Sequence, residues 1–318
     1  MKIFKFTLLF FLVCIGVNAQ QHSVIITKKP LPDSLKPWKI KHKIGVDLSE
    51  VTFVNWSAGG SNSISALTNV VSTVSYRKER TSWINRAVLR LGGNKAEGQR
   101  IRKTDDAVEL SSNFGYQKDT VSNWYYSARF NIKTQLIDGY NYPNREKRIS
   151  KFFAPGYIFA GIGSEYGRNI EEFSVYFSPL TYKGTFVLDR NLSNAGAFGV
   201  DPAVIDAQGN IIKSGERVRS EIGILFQGTY ETNLFENIDL RSQVELYTDY
   251  LNSFGNVDID WEFLLDFKVN SFVKAGLGSH IIYDDDIDAF EEKDGEQVNV
   301  GPKVQWKQIL GVGVVVVF

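Results

Sequence analysis

Apolar and polar residues alternate one for one through most of this chain. Residues 257–270 carry the pattern most clearly: Ile259, Trp261, Phe263, Leu265, Phe267 and Val269 alternate with Asp258, Asp260, Glu262, Leu264, Asp266 and Lys268. Residues 220–231 set Ile222, Ile224, Phe226 and Tyr230 against Glu221, Gln227 and Glu231, and residues 127–135 set Ala128, Phe130 and Ile132 against Arg129, Asn131 and Lys133. Successive side chains on a β-strand point to opposite faces, so each segment presents one apolar and one strongly polar face. The pattern predicts strands over 40–54, 64–77, 82–91, 107–117, 124–137, 154–165, 172–187, 217–231, 238–250, 257–268, 272–283 and 304–318, twelve in all.

A soluble sandwich alternates too, but its strands average roughly five or six residues, whereas roughly 9–11 are needed to cross a bilayer at a tilt. Several segments here reach that length, and their apolar faces carry Trp, Tyr and Phe near the strand ends, as an interfacial girdle does. The expected fold is therefore all-β, an antiparallel transmembrane β-barrel of about 12 strands. The connections agree. Those at 78–81, 118–123, 166–171, 232–237 and 269–271 are short; those at 92–106, 138–153, 188–216 and 284–303 are long, with 251–256 the exception. Bacterial barrels pair short periplasmic turns with long outer loops, and an even strand count puts both ends of the chain on the periplasmic side.

The N-terminus adds a destination. Lys2 and Lys5 precede an apolar stretch over 6–17, and Val17-Asn18-Ala19 offers small residues for cleavage before Gln20. Residues 1–19 are thus expected to be a signal peptide, 20–37 (with Pro30, Pro32 and Pro37) a flexible periplasmic leader, and 38–318 the outer-membrane barrel. Acylation at Cys14 is the alternative, but Phe11-Leu12-Val13 lacks the small residues such a site needs. Without residues 1–19 the chain has neither Cys nor Met, which excludes disulfide and thiol chemistry. Its charge is near neutral, which argues against nucleic acid as a partner. Leu310, Val312, Val314, Val316 and Phe318 share one face of the last segment, and a terminal aromatic there resembles the recognition signal of the barrel-assembly machinery, expected to be read by pairing of strand edges. The expected partners are that machinery and outer-membrane lipid.

The segment Phe53-Val54-Asn55-Trp56-Ser57-Ala58-Gly59-Gly60 resembles a Bacteroidota family of outer-membrane-type barrels catalogued only as a domain of unknown function. The resemblance rests on Asn55, Trp56, Gly59 and Gly60; it implies a fold and an envelope location and brings no activity. Read by itself, the segment is a turn at the end of the first strand, with glycines that permit a tight bend and a tryptophan anchor.

No catalytic signature is present. Ser279 and His280 are adjacent, and barrel-borne phospholipases invite comparison, but neighbouring strand residues face opposite sides and cannot pair as nucleophile and base. The chain is expected to be no enzyme and to hold no cofactor or metal. The acidic loop from Asp284 to Glu296 does not have the spacing of a helix–loop–helix calcium site, and the basic stretch from Arg145 to Lys151 reads as a solvated loop, with lipid-anchored phosphates as the alternative. The polar face is richer. Arg77, Arg86, Arg90, Arg129 and Lys133 mark a basic wall early in the chain, and Glu245, Asp249, Asp258, Asp260, Glu262 and Asp266 an acidic wall late in it. With twelve strands closed, these walls face each other. They either set a transverse field across a narrow pore for small solutes or pair off and fill the lumen; in the second case the barrel is a non-conducting scaffold that binds partners through its loops or leader. Eight strands are plugged by their own side chains and sixteen leave a channel, so twelve leaves both readings open.

Overall fold

A computed structural model describes residues 36–52, 62–119, 122–169, 172–252, 254–293 and 296–318. The expected signal peptide, nearly all of the leader and the Asn55–Gly60 motif lie outside the described residues. Twelve strands close into one antiparallel barrel: β1 (Trp38–Val51), β2 (Ser63–Lys78), β3 (Thr81–Ala96), β4 (Arg102–Gln117), β5 (Trp124–Thr134), β8 (Gly156–Asn169), β9 (Phe173–Phe186), β12 (Val218–Phe235), β13 (Ile238–Asp249), β14 (Asp258–Lys268), β15 (Val273–Tyr283) and β18 (Gln305–Val317). Each pairs with its neighbours in sequence order, and β18 returns to β1. Closing the sheet on itself, here through Lys43–Asp47 against Gly313–Val317, is how a β structure satisfies its backbone in lipid. The remaining strands are three hairpins in the long connections: β6 (Gly139–Tyr140) with β7 (Arg148–Ser150), β10 (Val204–Ile205) with β11 (Ile211–Lys213), and β16 (Asp288–Lys293) with β17 (Glu296–Pro302). No described helix is long and apolar enough to cross a membrane.

The connection expected at 92–106 is mostly strand. β3 and β4 stay paired as far as Asn94↔Arg102, and only residues 97–101 turn. Gly92, Gly93 and Asn94 face Lys103 and Asp105, so this end of the hairpin has no apolar side, and alternation gave no sign of it. The other long connections and the short turns stand as expected, with long loops at one end of the barrel and short turns at the other.

The barrel is apolar outside and polar inside. Exposed large side chains include Ile44, Val46, Phe130, Ile222, Leu310 and Val314, while the most buried ones include Glu165, Glu221, Ser178 and Thr181. Near the turn end, Trp38 packs on Tyr76 and Trp83, and Trp124 on Tyr166, forming an aromatic rim. Three outward tryptophans dispose of the indole N–H in the same way. Trp83, Trp261 and Trp306 donate to the hydroxyls of Ser112, Ser242 and Ser279 on adjacent strands at 2.9–3.0 Å. Each apolar ring can then face outward without an unpaired donor.

Two glycines fix the strand packing. At β9 the register slips around Pro179, where one extra residue opposes β12, a bulge that tolerates proline's missing N–H. Opposite it, a Cβ on Gly163 would lie 2.0 Å from the Phe177 carbonyl oxygen. One on Gly223 would meet the Thr248 carbonyl oxygen at 2.0 Å. At the loop end, Ala154, Val187, Leu192 and Val200 form a small apolar cluster that seats helix α1 (Arg190–Asn194). Asp189 caps this helix by accepting from the Asn191 and Leu192 amides.

Candidate functional site: the charged lumen

Cations on β3, β5 and β9 meet anions on β12, β13 and β14 at three heights. Nearest the loops, the Lys183 ammonium, with a side chain only 5 % exposed, lies 2.6 Å from Asp258, 3.7 Å from Glu221 and 3.8 Å from Asp284. Arg219 joins this layer at 2.7 Å from Asp286 and 3.6 Å from Glu221. Burial pushes the Asp284 carboxyl up from the usual carboxylate range, and Lys183 opposes the shift.

One layer down, Lys133 reaches Asp260 at 3.0 Å and Glu245 at 3.7 Å, and His280 bonds the other Asp260 oxygen at 2.8 Å. In the middle, Arg90 lies 2.9 Å from Glu262, 3.4 Å from Glu109 and 3.8 Å from Asp105; Lys307 reaches Asp105 at 3.2 Å. At a similar height Arg129 donates to Gln227 at 2.6 Å and Glu165 at 2.7 Å, with its guanidinium 4.3 Å above the Tyr176 ring. Gln227 passes the chain on to Glu245. Toward the turns, Asp266 is held by Lys274 at 2.7 Å and Lys43 at 3.4 Å.

Of the expected basic wall, then, Arg90, Arg129 and Lys133 are bound across or along the lumen. Arg86 sits lower, in the field of Glu109, Glu231, Glu262 and Arg241. Of the expected acidic wall, Glu245, Asp258, Asp260, Glu262 and Asp266 all carry partners inside the barrel. Asp249 acts at the barrel's end instead. Its carboxylate accepts from the Leu251 and Asn252 amides and the Asn252 side chain, shaping the turn after β13. A strand-terminal aspartate two residues before a turn is a common turn former, and that reading was available from sequence. Alternation placed Glu221 on the polar face but left it out of the acidic wall, and it missed Lys183 and Glu165; all three are among the most buried charges. Lys183 lies beyond the bulge at Pro179, which breaks the period that would have placed it.

A cavity of about 630 Å³ runs alongside the bridging layers, from the level of Arg90 and Glu262 up past Lys183, and opens toward the loops. Tyr157, Phe159 and Tyr247 supply its aromatic wall, and Lys133, Lys183, Asp258 and Asp260 its charged one. Phe198 covers part of it from the loop after β9. Its backbone is left-handed at φ 60°, a strained state for a side-chain-bearing residue, held by the α1 cluster on one side and an Arg219-to-Gly199 carbonyl bond on the other. A second cavity of about 140 Å³ lies beside β15 and β18.

The other residues singled out in the sequence are dispersed. Ser279 faces outward and accepts from Trp306, while His280 faces inward on Asp260. Asp284, Asp285 and Asp286 turn to Lys183, Asn256 and Arg219 respectively; among the described residues no three His, Cys, Asp or Glu side chains converge as metal ligands. Arg145 lies over Tyr142 at 5.2 Å, and Arg148 pairs with Asp138 at 3.4 Å. Phe318 packs on His42 with ring centroids 5.4 Å apart.

A family model described as a protein of unknown function, DUF3078, matches residues 48–140. No curated protein matches the chain. Solved structures similar to it include the translocator domain of the autotransporter NalP from Neisseria meningitidis, at 9% identity and a TM-score of 0.34, covering 87% of this chain and 86% of that one. Another is the COG4313 outer membrane channel from Pseudomonas putida F1, at 11% identity and a TM-score of 0.40, covering 93% and 100%.

Proposed function

We propose that this chain is an outer-membrane barrel closed to free diffusion, with its loop-side cavity serving as a vestibule for a small ligand. The membrane location is supported by the outward apolar face, the aromatic rim and the short-turn, long-loop asymmetry. The closed state rests on one observation: Lys133 and Arg90 each bridge opposite walls, to Asp260 and Glu262 on β14. These charges are directly paired across the lumen, and the arginine fork is rigid. Reconstituted in planar bilayers, the protein should give no stepwise conductance. A variant carrying Arg90→Ala and Lys133→Ala should give it, because both bridges are then lost. Well-resolved steps from the unaltered protein would refute the closed barrel and restore the reading of a narrow pore for small solutes.

A further inference from the structure

The seam between the first and last strands is much shorter than any other pair in the barrel. β1 and β18 are in register over five positions, from Lys43↔Val317 to Asp47↔Gly313. His42 and Phe318 extend the ladder at the turn end with backbone bonds of 2.7 and 3.0 Å. Toward the loops it stops, although both strands go on. β1 stays paired with β2 as far as Val51↔Ser63, and β18 with β15 as far as Gln305↔Ile282. Continued register would set Leu48 through Val51 against Val312 back to Ile309. Among the described residues none of those pairs forms.

Unpaired backbone facing lipid is costly, and irregular backbone at membrane depth is tolerated where it lines a cavity. Such a cavity is present. The 140 Å³ space beside β15 and β18 is lined by Leu67, Leu264 and Ile309 and by Gly276, Gly278 and Gly311, whose missing side chains make the room. Charged residues complete the lining, among them Asp266 and Lys274, which neutralise each other at 2.7 Å. The space is of a size that holds a benzene-sized group, and its lining is mixed, with Asp47 and Lys307 on the two seam strands beside the apolar residues. Arg90, Asp105, Glu262, His280 and Lys307 line both this cavity and the vestibule, so the two adjoin. Lys307, on the unpaired stretch of β18, reaches across to Asp105 on β4 at 3.2 Å and ties that edge inward.

We propose that the loop-side half of the β1–β18 seam is a lateral opening through which the acyl chain of an outer-leaflet lipid enters the glycine-lined cavity, its head group toward the vestibule. This rests on the membrane location proposed above. An acyl chain fits because the wall next to the gap offers leucine, isoleucine and glycine, and because the gap faces lipid.

The test places the photo-crosslinker p-benzoylphenylalanine at the inward Leu264 in the full chain, with Ile309 as a second inward site. The outward Phe130 on β5, away from the seam, serves as the lipid-facing control. The protein is reconstituted in vesicles of dioleoylphosphatidylcholine, irradiated, and examined by intact mass. Lipid adducts are expected at Phe130 and at an inward site. Joining Ser49→Cys to Gly311→Cys, by oxidation or with a short bis-maleimide, should lower the inward adduct at least fivefold while leaving Phe130 within twofold. No adduct at Phe130 would overturn the membrane location itself. An adduct at Phe130 with none at Leu264 or Ile309, or an inward adduct unchanged by the seam cross-link, would overturn the lateral opening.

Discussion

Removing the Arg90 guanidinium is the sharpest perturbation of the lumen. Arg90 is the only cation within ion-pair distance of Glu109 or Glu262 among the described residues, and one of two on Asp105. Arg90→Ala therefore leaves two carboxylates without a direct ion-pair partner, with Arg86 a remaining cation in their field. Breaking a buried pair by taking one partner away costs roughly 3–5 kcal/mol, because the remaining charge stays desolvated. The Glu262 side chain is 37 % exposed, so water offsets part of that, and a value near the bottom of the range, about 3 kcal/mol, is expected. The pair itself is isolated by a cycle of Arg90→Ala, Glu262→Ala and the double variant. Contacting charged residues couple by roughly 0.5–3 kcal/mol, and a coupling of about 1.5 kcal/mol is expected here. Urea unfolding of the barrel in vesicles, followed by tryptophan fluorescence, reads it. With slopes of roughly 1–3 kcal/mol per molar urea, the single variant should shift the midpoint down by about 1–3 M. A coupling below about 0.5 kcal/mol would refute the reasoning, since the two walls would then not be held together by this contact.

Other variants probe separate features. Gly163→Ala and Gly223→Ala place a methyl into a carbonyl oxygen and should abolish the heat-modifiable folded band on a gel, whereas Gly98→Ala, at φ 71° with open space around it, should cost about 1–2 kcal/mol and still fold. Lys183→Met leaves Asp258 and Asp284 without an ion-pair partner among the described residues and Glu221 with Arg219 alone, and should destabilise the barrel by about 3–5 kcal/mol in urea, with Lys183→Arg recovering part of the loss. Ser242→Ala takes the acceptor from the Trp261 indole and should cost about 1 kcal/mol, with a change in tryptophan emission that Trp261→Phe abolishes. In the β10–β11 hairpin, bonds from the Asn210 side chain and backbone hold the Asp206 carboxyl below the usual aspartate range. A depressed folded value stabilises the turn above the ordinary aspartate pKa of about 3.9, and that gain is lost as pH falls through the folded value. The Asn210 amide resonance should accordingly stay constant from neutral pH down to about 4 and move below it.

The barrel was legible in the sequence because its outer face repeats at period two over lengths that cross a bilayer; Ile259 through Val269 alone carried much of it. The loop-end extension of β3 and β4 was not legible. Outside an apolar environment both faces of a strand can be polar, and Gly92 to Asn94 give no alternation to read. The charged lumen was half legible. Opposite signs on Arg90, Lys133, Asp260 and Glu262 were visible, but whether they meet depends on barrel radius and side-chain reach, which no linear pattern encodes. The five-residue seam left no trace either: Leu48, Val312 and Leu310 look as much like paired strand residues as Val46 and Val314 do.

The cross-lumen pairs also constrain the order in which the chain can be assembled. Lys133 finds its carboxylates at Glu245 and Asp260, and Lys183 at Glu221, Asp258 and Asp284, all of them later in the chain. A half-built sheet ending at β9 therefore carries both ammonium groups without these partners, and they stay hydrated until β12 to β14 arrive. The charges that stop up the finished lumen would keep an unfinished one wet and open, so desolvation of the interior becomes a late event, coupled to closure of the last strands.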